Sequence, residues 1–181
     1  MATLATVCES DGVLGIVAPL ALAAAANTAL VVDLDRNGPR YPGSGSLAEL
    51  VKDGPRRADL RPSRRGVAVL RNGDIAAADA AEVIAALIAG WPNVVLRLPS
   101  AATEVSVPFV PVVPLLPGGM TKRCHRPAAY QQIGWHEHAP GPELVIPTPS
   151  RNTVRAFLEG RMPTASRWVR AWRQVWETSW A

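Results

Sequence analysis

Ile16-Val-Ala-Pro-Leu-Ala-Leu-Ala-Ala-Ala-Ala26 and, after Asn27, Thr28-Ala-Leu-Val-Val-Asp33 decide how this chain folds. The first stretch is an Ala/Leu run of helical composition. The second is an uninterrupted apolar strand, as found at the centre of a parallel sheet where both faces are covered. Asp33 closes it as a turn residue. Taken together, Val13 to Val32 has the length of a membrane-spanning helix, which needs about 20 apolar residues. Pro19, Asn27 and Thr28 interrupt it, however, and acidic rather than basic residues flank it: Glu9 and Asp11 before, Asp33 and Asp35 after. The stretch therefore reads as a buried helix running into a buried strand.

Working outward, strand and helix alternate. Thr3–Cys8 reads as a strand, Gly12–Gly15 as a turn and Ile16–Ala26 as a helix. A Gly- and Pro-rich loop follows from Asp35 to Ser46. Ser46 caps a short helix, Leu47–Lys52, with Glu49 completing a capping box. Beyond the basic loop Pro55–Arg65 come a strand, Gly66–Leu70, a helix, Asp74–Ala89, and a strand, Asn93–Leu98. Ile75, Val83, Ile84, Leu87 and Ile88 give that helix its apolar stripe. Such alternation with short links predicts an α/β fold with a mainly parallel, doubly wound sheet flanked by helices. Residues 105–142 read as irregular: Pro108, Pro111 and Pro114 demote Val105–Leu116 to an edge or broken strand, and Pro117–Pro142 reads as a loop. A last short strand, Glu143–Ile146, precedes a helix capped by Ser150 and running to Glu159. Ser166 then caps an amphipathic C-terminal helix, Arg167–Trp180. The whole, 1–181, reads as a single domain.

Composition agrees. The chain has 181 residues, 48% hydrophobic and 19% charged, which is globular rather than disordered. Its net charge of +4 admits anionic partners without requiring them. Two cysteines give no disulfide framework, and the first dozen residues hold no Lys or Arg, unlike a secretory signal. A cytoplasmic protein, peripheral at the inner membrane at most, is the expectation.

The order of these elements resembles the MinD/ParA class of P-loop ATPases, including its TadZ/CpaE-like branch. The resemblance is carried by Glu9-Ser-Asp-Gly-Val-Leu-Gly-Ile-Val17 leading into Ala18–Ala26, then Leu30-Val-Val-Asp-Leu-Asp35 and Gly43-Ser-Gly-Ser-Leu-Ala-Glu-Leu50. Val67–Gly73, Asn93–Pro99 (similar to the Walker B strand), Ile146–Val154 and Glu159-Gly-Arg-Met-Pro163 continue it. It implies a P-loop-like fold with the phosphate loop at 9–17. That loop is degenerate. Phosphate binding needs glycines, a Lys and a hydroxyl for Mg²⁺. Gly12 and Gly15 remain, but the Lys and Thr positions are Ile16 and Val17, and the Walker B end reads Arg97-Leu98. Asp33 and Asp35 persist without phosphate partners. Losing ammonium, hydroxyl and carboxylate removes the charge stabilisation of phosphoryl transfer. The expectation is a pseudo-ATPase with no cofactor, no ATP binding and no catalytic residues.

Three other constellations stand out. Cys124, His125, His136 and His138 supply enough ligands for zinc, though in no standard spacing; an exposed polar loop is the favoured reading, and no metal is expected. Arg56, Arg57, Arg61, Arg64 and Arg65 form a basic loop able to meet DNA phosphates, but Asp53 and Asp59 dilute it and stacking aromatics are absent, which favours a solvated surface. Trp168, Trp172, Trp176 and Trp180 repeat every four residues, with Arg167, Arg170 and Arg173 on the other face. Core packing or an interface is favoured over lipid for these rings, with the Trp residues, Arg170 and Arg173 as interaction residues.

The functional expectation is a non-hydrolysing scaffold or regulatory protein. It would act by protein–protein contact or self-association in positioning or assembly: pilus or secretion, septum, or DNA partition. A membrane-surface adaptor docking through the Trp-rich helix, and an enzyme of another type using the Cys/His loop, are the alternatives.

Overall fold

A computed structural model describes residues 2–8, 12–60, 62, 65–99, 105–115, 127–134 and 144–180. Along the chain run β1 (Ala2–Val7), α1 (Gly12–Ala25), β2 (Thr28–Asp33), α2 (Leu47–Asp53), β3 (Gly66–Leu70), a single 3₁₀ turn (Ala78–Ala80), α3 (Ala81–Gly90), β4 (Asn93–Arg97), β5 (Phe109–Leu115), β6 (Ala129–Gln132), β7 (Val145–Ile146), α4 (Arg151–Leu158), α5 (Arg167–Ala171) and α6 (Arg173–Glu177). The strands form one sheet, ordered β3-β2-β4-β1-β5-β6-β7, and every pairing is parallel. The expected α/β architecture with a parallel sheet is present. β2 lies inside the sheet between β3 and β4, as its unbroken apolar sequence requires.

Helices cover both faces. On one, α1 packs beneath α4, α5 and α6; Leu20, Leu22, Phe157, Trp168 and Trp172 fill that core. α1 is apolar all round because the sheet takes one side and the C-terminal helices the other. On the opposite face, Leu47, Leu87 and Trp91 from the α2–α3 side pack over Leu30, Val32, Val94 and Leu96. The capping box at α2 is complete: Glu49 N–H donates to Ser46 Oγ, and Ser46 N–H donates to the Glu49 carboxylate. Among the described residues no helix is long and apolar enough to cross a membrane.

Four elements differ from their sequence reading. Gly12–Gly15 is no turn; it forms the opening of α1. The helix expected from Asp74 begins later, because Asn72 makes its own turn. The Asn72 side chain accepts from Ile75 N–H and donates to Ile75 O and Asp33 O, and Asp74 takes a left-handed φ of 69°.

Third, the stretch 105–142 contains two interior strands. β5 tolerates its prolines because it changes neighbours midway. It pairs with β1 through Phe109–Pro111 and with β6 through Val112–Leu115. Pro108 O accepts from Ala5 N–H and Leu115 O from Ile133 N–H, so even-numbered residues face β1 and odd-numbered ones face β6. The missing N–H of Pro111 thus faces β6 before that ladder begins. The missing N–H of Pro114 faces β1 after that ladder has ended.

Fourth, the C-terminal segment is two short helices rather than one amphipathic rod. At the junction Trp172 N–H donates to Val169 O and Val175 N–H to Trp172 O, both three-residue spacings. Trp180 lies beyond the end of α6, so the four rings do not share one helix.

Candidate functional site

The densest charged cluster among the described residues sits at the C-terminal edge of the sheet, where open α/β sheets bind ligands. Asp33 ends β2, Arg97 ends β4, and the two are register partners. Alternation along the strands turns both toward the face that α1 covers, since Val31 and Val95, two residues earlier, lie in the α1-side core. Arg97 Nη1 donates to Asp33 Oδ1 at 3.1 Å and Oδ2 at 3.2 Å, and to Pro39 O at 2.8 Å. Nη2 donates to Asp35 Oδ2 at 2.9 Å. Asp35 Oδ1 in turn accepts from Asn37 N–H and Gly38 N–H, and Asp35 N–H donates to Asp33 Oδ1. Tyr41 lays its ring 5.3 Å from the Arg97 guanidinium carbon and donates its hydroxyl to Ile16 O in α1.

One guanidinium therefore organises the loop 34–41 and ties it to the first turns of α1. Gly38 fits closely against the pair: a Cβ on it would lie 1.9 Å from Asp35 Oδ2 and 2.4 Å from Arg97 Nη2, so any side chain there would have to displace the Asp35–Arg97 contact. Burial pushes the Asp33 carboxyl up to about 6, with the facing Arg97 charge holding the rise back. Burial likewise drives the Tyr41 phenol far above its ordinary value. The side chains of Asp33 and Arg97 are 3% and 5% exposed beneath the 34–41 loop.

The positions that the resemblance assigned to a phosphate loop open α1, joined to this cluster through the Tyr41 hydroxyl on Ile16 O. Gly12 and Gly15 sit in the first turns of α1, Ile16 packs at the edge of the core and Val17 is buried within it. Among the described residues a Cβ on Gly12 would meet nothing within 4 Å, and one on Gly15 would meet Cys8 O at 3.7 Å, an ordinary contact. Between the end of β1 and α1 lies a hollow lined by Thr6, Cys8, Gly15, Pro19 and Leu98 among others, with room for about one water and, among the described residues, no cationic side chain.

The chain matches no family model, no curated protein and no solved structure.

The remaining residues singled out in the sequence fall elsewhere. Trp168 and Trp172 are buried in the chain's own core, where Phe157–Trp168 and Trp168–Trp172 meet edge to face at 5.9 and 5.8 Å. Trp168 Nε1 donates to the buried Gln131 side chain. Trp176 and Trp180 are half-buried; they donate to Leu22 O and Val175 O. Arg170 and Arg173 are exposed. Cys124, His125, His136 and His138, with Glu9, Asp11, Arg61 and Arg64, lie outside the described residues. The described ones hold no group of three His, Cys, Asp or Glu able to share a metal ion. Sequence reasoning named Asp33, Asp35 and Arg97 separately and missed that they form one cluster. The available signal was two carboxylates ending one interior strand and a lone Arg ending another.

Proposed function

We propose that this chain is a non-hydrolysing relative of the MinD/ParA-type P-loop ATPases, a cytoplasmic scaffold or regulator. In this reading it acts by protein–protein contact in positioning or assembly: pilus or secretion, septum, or DNA partition. The observation that carries the reading is the Arg97 guanidinium seated between Asp33 and Asp35. The resemblance would leave those carboxylates to a metal–phosphate ligand; here a side chain of the chain itself neutralises them. The aliphatic Ile16 and Val17 leave α1 with neither the ammonium nor the hydroxyl that phosphoryl transfer needs. The parallel sheet, the helix following β1 and the placement of Asp33 at a strand end all fit a P-loop-like ancestry. Phosphate release from ATP and Mg²⁺ tests the reading. The rate should match buffer alone, and a protein-dependent rate lost in an Asp33→Ala variant would sink it.

A further inference from the structure

Charge in this chain is segregated by sequence. Residues 151–181 hold six Arg, no Lys and two Glu, a net +4, which is the net charge of the whole protein. The preceding 150 residues balance, with thirteen basic and thirteen acidic side chains. Folding puts the helices of that segment on the α1-covered side of the sheet. α4, α5 and α6 each pack onto α1 with their apolar sides, and Arg151, Arg155, Arg161, Arg167, Arg170 and Arg173 are all exposed. Glu159 braces Arg155 and Arg161. Among the described residues, Arg151, Arg167, Arg170 and Arg173 have no carboxylate partner.

We infer that this Arg face is the docking surface for an acidic protein partner, an inference that rests on the reading of the chain as an interaction scaffold. Four classes of occupant compete. A second copy brings the same positive face, and its opposite face offers no acidic complement, since residues 47–90 carry seven basic and six acidic side chains. Lipid insertion needs a broad exposed apolar face among the cations, yet among the described residues of this segment Trp168 and Trp172 are buried in the core and Leu158 is the one large hydrophobic side chain that is exposed, too little to insert. A nucleic-acid backbone carries a charge about every 1.7 Å and would run its phosphates past Glu159 and Glu177, both exposed within the face. A protein can instead set carboxylates opposite the unpaired Arg residues and leave those two Glu alone. The composition fits a protein too: Arg and Trp are the typical anchors of protein interfaces, where Lys is depleted. Exposed Leu158 and half-buried Trp176 and Trp180 supply an apolar margin. Planar guanidinium groups match carboxylates two bonds at a time.

The test is fluorescence anisotropy of the full chain with a labelled Glu-rich peptide, alongside mixed-sequence duplex DNA and phosphatidylglycerol vesicles at the same salt. The peptide should bind, and binding should weaken as salt rises. Arg167→Glu, Arg170→Glu, Arg173→Glu together should weaken it at least about tenfold and create binding to a Lys-rich peptide. Arg56→Glu, Arg57→Glu on the other side should change it little. Should the reversed protein not fold, the three Arg→Gln changes carry the same expectation. Absence of peptide binding, equal binding by the reversed variant, or tighter binding to duplex DNA or vesicles would overturn the inference. ATP turnover by the parental chain would remove the scaffold reading, while the anisotropy still reports on the Arg face.

Discussion

Replacing Arg97 by Leu removes the one cation from a buried cluster and leaves everything else in place. The guanidinium makes four hydrogen bonds, two to Asp33 and one each to Asp35 and Pro39 O, and stacks on Tyr41. Without it Asp33 is an uncompensated carboxylate with 3% of its side chain in water, and Asp35 is one with 15%. Deleting one partner of a buried pair costs about 3–5 kcal/mol, against a total stability of about 5–15 kcal/mol for a domain. The variant should stay folded but melt about 6–20 °C lower, at about 2–4 °C per kcal/mol for a chain of this size. Urea unfolding followed by circular dichroism measures it, with an unchanged slope showing that the unfolded state is not the cause. A second variant checks the reasoning: Arg97→Met with Asp33→Asn and Asp35→Asn removes all three charges, so much of the loss should return. A single variant within about 0.5 kcal/mol of the parent, or a triple variant less stable than the single, would refute the account of the cluster.

Three further outcomes follow from the same structure. Because burial raises the folded Asp33 carboxyl from its ordinary 3.8 to about 6, the folded chain holds a proton between those values that the unfolded chain has released. Its contribution is therefore fully present below about pH 4 and lost as pH rises through 6; Asp33→Asn should flatten that part of the stability–pH curve, and a steeper or inverted slope would contradict the assignment. Gly15→Ala should raise stability by about 0.5–1 kcal/mol, since helix-interior Gly is costly and its Cβ meets only ordinary contacts; a loss on calorimetric melting would mean the position has another duty. Trp172→Ala with Trp176→Ala should lower the melting temperature sharply, with about 3–5 kcal/mol lost at Trp172 alone, and leave the mass by light scattering unchanged; a changed mass with an unchanged melting temperature would show that the rings serve an interface instead.

What the sequence disclosed was local. β2 and β3 could be bounded from their apolar runs and their flanking Asn, Asp and Gly residues, and α2 from Ser46 and Glu49, because those signals act within a few residues. What it hid was relational. β5 looks like a poor strand until its two ladders are known to meet between Pro111 and Val112. β6 contains Gln131 and Gln132, and only the Gln131 contacts with Trp168 and Pro147 O explain a buried amide in an interior strand. The Trp spacing suggested one apolar face on one helix, but the structure buries Trp168 and Trp172, half-buries Trp176 and Trp180, and tightens the turn at Trp172. The Asp33–Arg97 pair spans 64 positions, and no periodicity joins residues so far apart.

The most direct test of the central claim is calorimetric titration of the parental chain with ATP in the presence of Mg²⁺. If the proposed reading of residues 9–17 as a degenerate phosphate loop is right, an α1 start without Lys or hydroxyl, near carboxylates already paired to Arg97, should give no heat beyond dilution. Micromolar binding that disappears when Mg²⁺ is chelated would contradict the account, because it would require the Arg97 pairing to open for a metal–nucleotide complex.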